Sequence, residues 1–148
     1  MPRDDADMPQ TIVLPDLTSL AAAALPAAEA VLGAAMGHAR AALTRDGRIS
    51  GAAIEDNQHA AHALAWLATY VESLRQLKAW ADRLEAAGSF GEMEQLILQI
   101  GFGEYLAQIR GGIPMSQGEI ARPVDMGLSP AEAGALAEGA AATLAAEG

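Results

Sequence analysis

Residues His59–Gly88 read HAAHALAWLATYVESLRQLKAWADRLEAAG. The stretch has no proline and no glycine before its last residue, and it holds both tryptophans and two of the three histidines. Leu64, Leu67, Val71 and Leu74 recur at spacings of three, four and three, and Leu77, Ala81 and Leu84 extend the seam. That recurrence is the period of an amphipathic helix. Trp66, Tyr70 and Trp80 form a neighbouring stripe, joined by Ala63 and Leu77. The combined apolar arc is wider than a coiled-coil seam, so one narrow partner does not cover it. The helix needs neighbours on two sides, from its own bundle or from another chain. Glu72, Arg75, Gln76, Asp82 and Arg83 mark the wetter face.

Working outward, Ser50 is placed to cap this helix and Gly88 to stop it. If unbroken it has about 37 residues and is roughly 55 Å long at 1.5 Å per residue. Upstream, Asp16 or Thr18 caps a first helix that runs to about Leu43 and contains Pro26. A proline there removes one backbone N–H and predicts a kink or two shorter helices. TRDGRIS (Thr44–Ser50) reads as a turn with Gly47 left-handed. Downstream, Ser89 and Glu92 form an S-x-x-E capping box for a third helix that ends at Gly111 and Gly112. Its apolar residues fall into two seams, Met93, Leu96, Ile97 and Ile100, and Leu98, Phe102, Tyr105 and Ile109. Gly101 and Gly103 cost this helix roughly 1 kcal/mol each in propensity, which points to close backbone packing. Ser116 and Glu119 repeat the capping box before a short helical turn at Met115–Ala121, and RPVDMG (Arg122–Gly127) reads as loop. Ser129, Pro130 and Glu132 open a thin last helix whose large apolar residues are Leu136 and Leu144.

No stretch alternates as a strand would over a useful length. The expected fold is all-α, an antiparallel helical bundle with one long central helix and a thin C-terminal helix. Residues 1–15 read as a flexible N-terminal arm, 16–128 as the bundle, and 129–148 as a C-terminal helix or linker.

Nineteen acidic against nine basic residues give a net charge of -10. A field of that sign repels nucleic acid and anionic membranes. The absence of cysteine excludes disulfides and thiolate metal sites. LAAAALPAAEAVLGAAMG (Leu20–Gly37) comes nearest to a membrane span, but Pro26 and Glu29 interrupt it. The acidic start, MPRDDADMPQ, is unlike a signal peptide. These features are read together as a soluble, cytoplasmic chain.

Candidate chemistry is sparse. Glu55, His59 and His62 follow spacings of four and three that can place a carboxylate and two imidazoles on one face for a metal ion. His38 is the one further histidine, and no E-x-x-H motif of the carboxylate-bridged bundles occurs. Histidines paired with a carboxylate or carbonyl are the ordinary reading of such positions. Glu92 and Glu94 are explained by the helix start they occupy, and Glu104, if buried, needs a partner such as Arg110. The loop Arg110–Gly127 contains no phosphate-binding motif. Arg110 and Arg122 can hold an anion, dock a partner, or pair with Glu119 and Asp125. The expected interaction surface combines Trp66, Tyr70, Leu77 and Trp80 with Phe102 and Tyr105, and adds Arg110 and Arg122.

EDNQHAAHALAWLATYVESLRQLKAWADRL (Glu55–Leu84) and GSFGEMEQLILQIGFGEYLAQIRGGIPMSQGEIARP (Gly88–Pro123) resemble the amino-terminal helical extension of the methylsuccinyl-CoA dehydrogenase branch of the acyl-CoA dehydrogenase family. The resemblance covers Leu14 to Met126. It implies a flavoprotein oxidoreductase of the ethylmalonyl-CoA pathway as the whole enzyme. In that family a glutamate removes the α proton of an acyl-CoA and FAD takes a hydride from the β carbon. No stretch of this chain carries the flavin-binding residues or that glutamate, and neither Glu92 nor Glu104 is given the role. The resemblance thus implies FAD for the whole enzyme and none for these residues. It implies as partners the catalytic domains or a second copy in a homodimer. Three expectations stand side by side: a non-catalytic assembly domain, a stand-alone binding protein for an acyl or other apolar ligand, and a metal-dependent enzyme using Glu55, His59 and His62.

Overall fold

The computed structural model describes residues 12–147. Helices α1 (Leu17–Leu43), α2 (Gly51–Asp56), α3 (Gln58–Ala86), α4 (Glu92–Gly111), α5 (Pro130–Ala133) and α6 (Gly139–Glu147) make up most of it. Two short hairpins complete it, β1 (Thr44–Arg45) with β2 (Arg48–Ile49) and β3 (Ile113–Pro114) with β4 (Ile120–Ala121). The architecture is an all-α bundle. α1 packs on α3, α3 on α4, α4 on α6, and α6 back on α1, which closes a ring around one core.

The buried face of α1 is mostly alanine: Ala21, Ala24, Ala28 and Ala35, with Leu17, Val31 and Leu32. Methyl side chains bury little area each but let backbones approach closely. α1 is long and apolar enough to cross a membrane by length and composition. Pro26 and Glu29 do not disqualify it on those grounds, contrary to expectation. Its apolar stripe is instead the wall of the bundle core, and Glu29 accepts a 2.7 Å bond from Arg75 Nε on α3. Pro26 does not divide α1. It lies on the exposed face with Ala22 one turn before it, so the carbonyl left without a partner is on the solvent side.

Several expected boundaries move. Asp16 adopts a left-handed conformation (φ 53°) and makes no side-chain cap. Thr18 Oγ1 donates to Glu85 at 3.1 Å, which ties the start of α1 to the end of α3. Ser50 does cap, accepting from the Ala53 N–H at 3.3 Å, but its helix stops at Asp56. Asn57 Nδ2 donates to the Ala53 carbonyl at 2.8 Å while the Asn57 N–H bonds Ile54. The side chain thereby takes the acceptor that the continuing helix would use. The single long helix becomes α2 of six residues and α3 of 29.

Asp46 and Gly47 both have positive φ, 51° and 74°, as a two-residue hairpin turn requires. Gly88 (φ 67°) ends the α3 segment. The box at the start of α4 is shifted: Glu94, not Glu92, reaches back to the Gly91 N–H at 3.0 Å. Met115–Ala121 is not helical. Ser116 Oγ still meets the Glu119 carboxylate at 3.5 Å, but the contact closes the β3–β4 hairpin, where Met115 N–H donates to the Glu119 carbonyl at 2.9 Å. Arg122–Gly127 holds a 3-10 turn at Pro123–Met126, fixed by Asp125 Oδ2 accepting from the Arg122 N–H at 2.7 Å.

The C-terminal segment begins with the expected Ser129–Glu132 box but is three pieces: α5, a 3-10 turn at Gly134–Ala137, and α6, which starts at Gly139 (φ 57°). Leu136 and Leu144 are fully buried, so this thin segment still closes the core. Residues 1–11 of the expected arm, and Gly148, lie outside the described residues. Within the rest of the expected arm, Val13 is buried. Leu14 N–H donates to Gln99 Oε1 at 2.7 Å, and Gln99 Nε2 donates to the Ile12 carbonyl at 3.0 Å. Among the described residues no buried side-chain nitrogen or oxygen lacks a hydrogen-bond partner. Each fully buried leucine or phenylalanine in such a core contributes about 1.5–3 kcal/mol.

Candidate functional site

The aromatic stripe of α3 finds its second neighbour inside the chain. Trp66 Nε1 donates to His62 Nε2 at 3.0 Å, and Trp66 meets Tyr70 edge-on with ring centroids 6.4 Å apart. Tyr70 stacks on Tyr105 of α4 at 4.4 Å and 19°. The Tyr70 hydroxyl donates to Gln108 Oε1 at 2.6 Å, and Gln108 Nε2 donates to Glu104 at 3.2 Å. Burial pushes the Tyr70 hydroxyl above the usual tyrosine pKa, with Tyr105 adding in the same direction. Leu77 Cδ2 sits over Gly101, where an added Cβ would force that side chain to shift.

Two members of the expected interaction surface are therefore corrected. Phe102 is fully buried in the core on the inner face of α4, and Tyr70 is only 9% exposed because Tyr105 and Gln108 of α4 cover it. Trp66, Leu77, Trp80 and Tyr105 are half-buried against the core. Arg110 and Arg122 are exposed, and neither guanidinium pairs with a carboxylate among the described residues. Asp125 instead holds the Arg122 backbone and lies 3.7 Å from His59 Nε2.

The metal reading fails on geometry. The break at Asn57 puts Glu55 on α2 and His59 and His62 on α3, so the spacing of four no longer defines one face. His62 Nε2 accepts from Trp66, and His59 faces Asp125. His38 Nε2 lies 3.1 Å from Glu132. Among the described residues no three His, Cys, Asp or Glu side chains are grouped to hold a metal ion. Glu132 is held down to about 2 by the Ser129 N–H and hydroxyl first, then by His38, which is a helix cap rather than a reacting acid. Glu72 is likewise lowered by Gln76 and Arg75.

A cleft of about 320 Å³ lies between α1, the start of α3 and the 3-10 turn after β4. Ala35, Ala39, Leu43 and Leu64 are among its apolar lining, with His38, Asn57 and Asp125 as polar members. It contains no lysine or arginine. A flavin dinucleotide needs donors for its pyrophosphate, and this lining, with a carboxylate among its polar groups, does not fit one.

The widest apolar exposure on one helix face is elsewhere. Met93, Ile97 and Ile100 are 65%, 46% and 53% exposed and follow spacings of four and three along α4. They belong to the first apolar seam of the sequence. The aromatic residues of α3 drew the expected interaction surface away from it. A signal was available: α4 has two apolar seams, and a helix on the bundle's rim buries only one stripe.

No family model matches the chain. Over 116 residues, 78% of its length, it is 62% identical to (2S)-methylsuccinyl-CoA dehydrogenase of Cereibacter sphaeroides. The chain spans about a fifth of that relative, 21% of its length. It is thus homologous to one segment of that dehydrogenase.

Proposed function

We propose that this chain is a non-catalytic helical extension that serves as an assembly domain of a flavin-dependent acyl-CoA dehydrogenase. The whole enzyme would oxidise 2-methylsuccinyl-CoA to its enoyl-CoA in the cytoplasm. The observation that carries the proposal is the 62% identity to a segment making up a fifth of a methylsuccinyl-CoA dehydrogenase.

The chemistry of the side chains supports a packing role. Catalytic acids and bases sit in desolvated clefts where burial and partners tune them. Here the buried polar groups among the described residues are the Gln99 amide and the Tyr70 hydroxyl, and both are spent on structural hydrogen bonds. The carboxylates with lowered pKa values, Glu72 and Glu132, sit at the surface in helix pairs and caps. FAD and the acyl-CoA would be held by the catalytic body. Removal of residues 1–148 from the whole enzyme is expected to lower its stability or change its oligomeric state while leaving flavin binding and hydride transfer in place. A deletion enzyme with unchanged oligomeric state, stability and kinetics would refute the proposal.

One observation favours a second reading. The alanine- and leucine-lined cleft near His38 suits a small apolar or acyl chain. Native mass spectrometry of the purified chain with and without a short-chain acyl-CoA, whose acyl chain would enter the cleft while its phosphates stay in solvent, tests it, and a stoichiometric complex is the supporting result.

A further inference from the structure

We infer that the outer face of α4, built on Met93, Ile97 and Ile100, is the surface that seats this domain on the catalytic body. The inference rests on the function proposed above and names the contact through which it works. Three large apolar side chains on one helix face are the pattern that another protein surface covers.

The path of the chain points to the same helix. Gln99, adjacent in sequence to Ile100, donates from Nε2 to both the Ile12 carbonyl at 3.0 Å and the Glu147 carbonyl at 3.2 Å. Both ends of the described chain therefore meet α4 at the turn that carries Ile100, on its buried side. A body that continues the chain beyond Glu147 starts beside this helix, and a contact within one polypeptide loses little association entropy. The matched relative has about four-fifths of its length outside the matched fifth, which is ample surface to cover three side chains.

The alternatives fit less well. A second copy would bring together two chains of net charge -10, and Glu92 and Glu104 lie on α4 on either side of the stripe along the sequence. Like charges across an interface oppose association, whereas a basic rim on the partner favours it. Residues 1–11, MPRDDADMPQT, offer two methionines as large apolar groups alongside three aspartates.

Methionine oxidation by hydrogen peroxide, read by mass spectrometry, tests the inference in the whole protein. Met93 (65% exposed) and Met36 of α1 (51% exposed) would react at comparable rates if both faced water. Docking predicts that Met93 reacts about tenfold more slowly than Met36, since oxidation follows exposure. Met93 reacting as fast as Met36, in a protein whose assembly still depends on residues 1–148, overturns the choice of face and leaves the proposed function standing. Protection of Met93 in the 148-residue chain alone that rises with concentration overturns it in favour of a second copy. Protection that disappears when residues 1–11 are removed overturns it in favour of that segment. A whole protein with no dehydrogenase body overturns both the inference and the function.

Discussion

The two faces of α4 have similar side chains and different surroundings. Leu98, Phe102, Leu106 and Ile109 are buried against the other helices. Met93, Ile97 and Ile100, a few residues away on the same helix, are in solvent. Hydrophobicity alone therefore does not say which side of a helix belongs to the core. The partners decide: α3 and α6 reach one side of α4, and among the described residues none of the bundle helices buries the other. A domain with one satisfied and one unsatisfied seam has its core filled and an apolar face left open.

The largest test of this contrast is a pair of truncations in the 148-residue chain. Phe102→Ala is expected to cost about 3–5 kcal/mol in urea denaturation, from lost burial and the cavity left behind. Ile100→Ala is expected to stay within about 0.5 kcal/mol, as exposed positions do. Equal costs would mean that the outer face is already covered. Tyr70→Phe sharpens the inner side: losing the hydroxyl bond to Gln108 is expected to cost about 1 kcal/mol. A neutral result would mean that the ring stacking alone holds the seam.

The smallest effect concerns the surface cap at Glu132, far in character from either α4 seam. Its carboxyl is depressed to about 2 in the folded chain. The stability it contributes is present above the ordinary carboxylate range and is lost as pH falls from there through about 2. Ser129→Ala should raise the Glu132 pKa toward the ordinary value, because the hydroxyl bond is removed, while the Ser129 backbone bond and His38 keep part of the depression. A carboxyl-carbon NMR titration reads this directly, and an unmoved midpoint would mean that the hydroxyl contributes nothing.

Local chemistry made much of the fold legible in the sequence. Gly47, Gly88 and the Ser129–Glu132 box each act through their own backbone neighbours and are where the residues placed them, and Ser50 caps as expected although its helix is the short α2. Asn57 was not legible, because a polar residue inside a helical pattern looks the same whether its side chain faces water or takes a carbonyl from the helix. Ser116 and Glu119 misled for a related reason: the same side-chain contact serves a helix start or a hairpin loop. The candidate surface was only half legible. Both seams of α4 could be read from spacing, but the choice between them rests on contacts with α3 and α6. Trp66 and Tyr70 suggested an open aromatic face, and Tyr105 and Gln108, 35 or more residues later, close it.

The central claim is that α4 faces a core on one side and a catalytic body on the other. It is tested most directly by thermal unfolding of the whole enzyme carrying Ile97→Glu and Ile100→Glu together, beside the 148-residue chain with the same changes. The account predicts a clear loss of melting temperature in the whole enzyme and almost none in the chain alone. Equal melting temperatures for the altered and unaltered whole enzyme would contradict it.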